Sequence, residues 1–99
     1  MIVFSRTAGV EPGMFSAALA FANEIKALIK EINGVEVQVA IQIGGNPNRI
    51  AWMSSYESLA AFDAAGLKLL GNPKYQEMLK KTAGMIVPET IVDEIWRVI

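Results

Sequence analysis

Residues 35–43, VEVQVAIQI, alternate between apolar and polar without a break, and no other run constrains the fold as tightly. A period of two puts Val35, Val37, Val39, Ile41 and Ile43 on one face of a strand. Glu36, Gln38, Ala40 and Gln42 fall on the other face. The turn-forming cluster GGNPN (44–48) follows at once, and RIAWMS (49–54) resumes a strand pattern. So short a connection makes the two strands antiparallel neighbours.

The rest of the chain arranges itself around that hairpin. MIVFSRT (1–7) is β-branched and aromatic and reads as a first strand, followed by the loop AGVEPG, where Pro12 is suited to open a helix. From Met14 onward, Ala18, Phe21, Ala22, Ile25, Leu28, Ile29 and Ile32 trace one helical stripe. Lys26 and Lys30 complement the helix dipole near its end, and Asn33-Gly34 stop it. Ser54 and Glu57, three apart, form a capping box for a second helix that carries Leu59, Phe62, Gly66, Leu69 and Leu70 and ends at Gly71. Asn72 and Pro73 open a short helix over KYQEMLKKTA that stops at Gly84. MIVPE (85–89) reads as a loop and TIVDEIWRVI (90–99) as a last strand. This order is the ferredoxin-like βαββαβ plan with an extra short helix before the last strand. It predicts one α+β domain over 1–99, with a four-stranded antiparallel sheet and two main helices on one face.

Two helices hide one face of such a sheet, so a monomer needs polar residues on the other. Most of the strands do not provide them. The last strand has Ile91, Ile95 and Ile99 on one parity and Val92, Trp96 and Val98 on the other. The first sets Ile2 and Phe4 against Met1 and Val3, and the third sets Ile50 and Trp52 against Ala51 and Met53. With 53% apolar residues and a mean hydropathy of +0.34, the chain is rich for a soluble monomer of 99 residues. A second copy of the same sheet is the simplest cover, giving a two-fold homodimer. Asp93, Glu94 and Arg97 are then expected either at the seam or in cross-strand pairs, or, the preferred reading, as solvated edge charges that discourage aggregation.

Composition also removes function classes. A net charge of −1 does not fit a nucleic-acid binder, which needs a basic face, and Lys74, Lys80 and Lys81 read as a solvated helix face. The chain has neither Cys nor His. Thiolate chemistry, disulfides and imidazole ligands to zinc or haem are therefore ruled out, and no metal or other cofactor is expected. Any catalysis must rest on Asp, Glu, Tyr, Lys or Arg. No apolar run reaches the ~18–20 residues that span a bilayer. MFSAALAFA (14–22) has the look of a signal-peptide core, but Glu11 and Pro12 precede it and the helical pattern runs on beyond it. The expected compartment is the cytoplasm, with no membrane partner.

The stretch RIAWMSSYESLAAFDAAGLKLLGNPKYQEML (49–79) resembles the NIPSNAP-like pattern: an aromatic strand, a Tyr-x-Ser-Leu helix start, then a short helix after an Asn-Pro turn. The closing EIWRVI fits a chain that ends in its fourth strand. In element order the whole chain resembles the dimeric α+β barrel superfamily, which includes antibiotic-biosynthesis-type monooxygenases and stress-responsive barrel proteins. The resemblance implies a homodimer whose two sheets pack together and enclose a pocket, and it implies no particular reaction. Haem-degrading members use a His ligand and several cofactor-free members use a pocket His, both absent here.

Candidate ligand-pocket residues follow. Trp52 changes face with the hairpin register, because a one-residue slip turns every side chain over. With Gly44 opposite Arg49 it joins Ile41 on the helix side. With Ile43 opposite Arg49, the preferred register, it stands over Ala40 on the face away from the helices. Gln38 and Gln42 are placed to fix a carbonyl or hydroxyl, and Arg6 and Arg49, at strand ends, to clamp an anion. Tyr75 and Glu77 lie on the short helix, a lid with Met78, Leu79 and Met85 as its apolar underside. Asp63 is a general base only if buried. The leading expectation is a homodimer binding a small apolar or aromatic metabolite in a pocket between sheets. Behind it stand a cofactor-independent monooxygenase or isomerase, and then a non-catalytic oligomerisation or regulatory module.

Overall fold

Ile2–Val10 forms β1, which lies inside the sheet and pairs antiparallel with strands on both sides. The computed structural model describes all 99 residues. The other elements are α1 (Phe15–Asn33), β2 (Gln38–Ile41), β3 (Arg49–Tyr56), α2 (Leu59–Leu70), α3 (Pro73–Lys80) and β4 (Ile86–Arg97). The sheet order is β2-β3-β1-β4, and every pairing is antiparallel. This is the expected βαββαβ sheet with the extra short helix ahead of β4.

Alternation along the paired strands sorts the side chains. Ile2, Phe4, Arg6 and Ala8 of β1 share a face with Ile50, Trp52, Ser54 and Tyr56 of β3, since Ala8 pairs with Ile50 and Arg6 with Trp52. The helices cover that face. α1 buries Ala18, Phe21, Ala22, Ile25 and Leu28 along the stripe its sequence predicts. These meet Ala8, Val10, Ile50 and Ile86 from the sheet, together with Tyr75 and Met85. Gly34 ends α1 with φ 70, and its N–H bonds to the Lys30 carbonyl. That left-handed cap is a conformation glycine adopts without strain.

The hairpin adopts neither register expected for it. Trp52 lies opposite Val39, Ile50 opposite Ile41, and the Gln42 N–H reaches the Arg49 carbonyl. Trp52 therefore points to the helix side and not over Ala40. The reason is the alternation of β2, whose apolar face must join the apolar face of β3. The turn then takes six residues, 43–48, and leaves Ile43 96% exposed.

Several boundaries also move: β1 runs on to Val10, into the segment expected as a loop, and β2 is confined to Gln38–Ile41. β3 runs on to Tyr56 because Ile2 of β1 still offers it a partner. Ser54 is thus a buried strand residue, and Ser58 caps α2 by accepting the Ala61 N–H at 3.1 Å. Pro12 sits in the turn before α1 and does not open it. β4 begins at Ile86, inside the segment expected as a loop. Asn72 and Pro73 open α3 as expected, with the Asn72 side chain accepting from the N–H groups of Lys74 and Tyr75.

The opposite face of the sheet has no cover within the chain. It carries Val3, Ser5, Thr7, Gln38, Ala40, Ala51, Met53, Val92, Trp96 and Val98. Trp96 is 59% exposed there. No helix is long and apolar enough to cross a membrane.

Candidate functional site

α1, α2 and α3 do not fill all the space above the sheet. A cavity of about 590 Å³ remains between them and β1, β3 and β4. Of its 21 lining residues 16 are hydrophobic, so most of its wall offers only shape and apolar contact. Phe4, Tyr56 and Phe62 form an aromatic cluster in this wall. The Phe62 ring is 5.2 Å from Phe4 at 41° and 5.3 Å from Tyr56 at 76°, separations at which tilted and edge-on rings attract.

The polar groups converge where β1 and β4 meet α3. Arg6 and Asp93 are cross-strand partners. The Arg6 Nε–H donates to Asp93 Oδ1 at 2.7 Å and an Nη2–H to Oδ2 at 2.8 Å, a two-pronged ion pair. The two side chains are 42% and 41% exposed, which puts the pair at the cavity mouth. The hydrogen bond from Arg6 holds the Asp93 carboxyl below its usual range, against an opposing effect of burial. Arg6 in turn sits over the Phe4 ring, 5.8 Å from its centroid.

Tyr75, on α3, is buried beside this pair. Burial pushes its phenol upward in pKa, partly countered by the adjacent Arg6 charge, so it stays protonated at neutral pH. Ser54 donates to the Tyr56 hydroxyl at 3.2 Å, and Thr82 donates to the Leu79 carbonyl at 2.8 Å. The Trp52 indole N–H is shut away from water and has no acceptor in the protein. A buried donor without a partner costs roughly 1–3 kcal/mol.

Of the residues singled out from sequence, the fold brings Trp52, Arg6 and Tyr75 together around the cavity, with Leu79 one turn along α3 from Tyr75. Gln38 and Gln42 do not join them, because the even positions of β2 point to the uncovered face. Gln42 instead bonds the Gly44 carbonyl within the hairpin. Arg49 is also on that face, where it donates to Thr7 Oγ1. Glu77 pairs with Lys80 at the surface, and Asp63 is exposed on α2. Asp93 is the residue that sequence reasoning underrated. It is a partner for Arg6 and not a free edge charge. The signal was an acidic pair among apolar residues of β4 and the single base of β1, but only the strand register, which sets Asp93 and not Glu94 opposite Arg6, makes the match.

A second, shallower groove of about 690 Å³ lies between the end of α1 and the start of α3. Glu31, Lys68 and Lys74 stand along it, and Glu31 and Lys74 already form a solvated pair at 3.7 Å. No buried polar group faces it, so the cavity above the sheet is the better candidate. No three Asp or Glu side chains gather as metal ligands anywhere in the chain.

The sequence matches no protein-family model, and no curated protein is similar to it. Solved structures are similar. A NIPSNAP domain protein from Burkholderia xenovorans superposes with a TM-score of 0.85 at 17% identity, over 100% of this chain and 95% of that one. A NIPSNAP family protein from Agrobacterium tumefaciens gives 0.83 at 20% identity, over 99% and 92%. A Deinococcus radiodurans protein proposed as an antibiotic biosynthesis monooxygenase gives 0.75 at 10% identity, over 99% and 92%. At these identities the likeness establishes the fold alone, a ferredoxin-like α+β fold shared with these proteins.

Proposed function

We propose, from a NIPSNAP-like protomer fold that keeps an apolar cavity of its own, that this chain is a cytoplasmic homodimeric protein binding a small apolar or aromatic molecule. The cavity carries the proposal: about 590 Å³ of apolar space with one localised polar spot at Arg6, Asp93 and Tyr75. That is the composition of a small-molecule site, in which apolar walls give affinity and a few polar groups fix orientation. The binding space sits between the sheet and the helices of one protomer, and not between two sheets. A second copy covers the open sheet face, where Val92, Trp96 and Val98 are exposed together.

Native mass spectrometry of the purified protein at low concentration tests both parts. The expected species is two chains carrying a low-mass adduct that denaturation releases and that Trp52→Ala weakens. A single-chain mass overturns the homodimer. A dimer that takes up no small apolar molecule, even when one is added in excess, overturns the binding reading.

A second reading, a cofactor-independent monooxygenase or isomerase, draws support from the polar groups at the cavity wall and from the Deinococcus radiodurans neighbour. Turnover of an electron-rich aromatic compound without added metal is its test. A purely architectural oligomerisation module accounts less well for the chain, since it has no use for an interior cavity.

A further inference from the structure

We infer that the cavity takes an uncharged ligand carrying a hydrogen-bond acceptor, such as a ketone, lactone or amide oxygen, which receives the Tyr75 O–H. The inference rests on the cavity being a binding site and goes on to specify the chemistry of what it holds.

Arg6 is the only cation among the lining residues and Asp93 the only anion. They neutralise each other through two bonds of 2.7 and 2.8 Å, and both carboxylate oxygens are engaged. A carboxylate ligand would therefore enter a site with no unmatched positive charge, and an ammonium ligand one with no unmatched negative charge. Either would be desolvated without compensation. Ser54 donates to the Tyr56 hydroxyl, which leaves the Tyr56 proton as a further donor, and Thr82 donates to the Leu79 carbonyl.

What remains is biased toward donors. The Tyr75 hydroxyl lies close to the Arg6 guanidinium, which can only donate to it, so the Tyr75 proton remains to be given to another acceptor. Burial keeps the phenol protonated. A neutral acceptor complements such a wall, and a purely apolar ligand leaves it unanswered.

Three probes of one ring and nearly one shape separate the possibilities: acetophenone, ethylbenzene and benzoate. Each is titrated into the ¹⁵N-labelled full chain at pH 7 and followed through the amide and indole resonances. Acetophenone is expected to bind about three- to tenfold more tightly than ethylbenzene, the worth of one net hydrogen bond. It should exceed benzoate by at least about tenfold. Tyr75→Phe, which keeps the ring and its packing, should bring acetophenone down to the level of ethylbenzene and leave ethylbenzene unchanged. Benzoate binding as well as acetophenone overturns the neutral-ligand inference. So does equal binding of all three, or a preference for acetophenone that survives Tyr75→Phe; in these cases the cavity still stands as a site. If no probe shifts any cavity resonance, the binding reading falls and this inference with it.

Discussion

Asp93→Asn isolates the Arg6–Asp93 pair with almost no change of shape. The amide still accepts one bond from Arg6 but removes the negative charge and the second strong acceptor, leaving the half-buried guanidinium unmatched. Exposed ion pairs are worth about 0.2–1 kcal/mol, whereas breaking a fully buried pair costs about 3–5 kcal/mol. With side chains 42% and 41% exposed, the Arg6–Asp93 pair is well screened, and the forked geometry sets it at the upper end of the exposed class. The expected loss is about 1 kcal/mol, or about 4–8 °C in Tm for a domain of this size. The pH dependence is the sharper test. Asp93 has a depressed carboxyl pKa in the folded state. Its contribution is therefore complete above the unfolded value of about 3.9 and disappears as the pH falls through the folded value. Thermal melts of both proteins at one fixed chain concentration should differ fully at pH 7 and converge only as the pH falls below the unfolded carboxylate value of about 3.9. A gap that is unchanged at low pH, or no gap at pH 7, would refute the assignment of the pair as a stabilising clasp.

Three further outcomes are expected. Ile50→Ala, at a residue 1% exposed in the middle of β3, should cost about 2–4 kcal/mol in urea unfolding with little change in m. Ser58→Ala should remove about 1 kcal/mol by uncapping α2, and Ser54→Ala should leave α2 unaffected; paired denaturation curves with helical circular dichroism distinguish the two. Trp96→Glu, which puts a charge in the middle of the open face, should shift the protein from two chains to one in light scattering, with the cavity resonances retained.

Local patterns made most of the fold legible. The α1 stripe, the Gly34 stop, the Asn72-Pro73 start of α3 and the alternation of β2 each carry their own chemistry, so each could be read one segment at a time. The parts that were misread depend on partners remote in sequence. Whether Ser54 caps a helix or continues a strand is decided by Phe4, its partner on β1, fifty residues earlier. The face of Trp52 followed from matching two strands, and a turn whose length is not dictated by GGNPN left that match open. Of the cavity wall, Trp52, Arg6 and Tyr75 could be singled out by type. Asp93 could not, because its role exists only through the register of β4 against β1.

That register contains an irregularity with evolutionary weight. Between Thr7 and Gly9, β1 advances two residues while β4 advances five, from Val92 to Val87. The Thr90 hydroxyl spans the gap, accepting the Gly9 N–H and donating to the Val87 carbonyl. It also fills the space a side chain at residue 9 would need, 2.9 Å from where a Cβ would stand. Three surplus residues are an odd number, so β4 changes phase there: Ile86 and Ile91 have opposite parity yet both line the cavity. The strand is written in two reading frames spliced at Thr90. Losing or gaining one residue at the splice would swing Ile91, Asp93 and Ile95 to the outer face together, and would deliver Val92, Glu94 and Trp96 inward in their place. A change of length in the 43–48 turn leaves the facing of β4 untouched, but at the splice a single-codon indel exchanges the cavity-facing side chains for those of the open face.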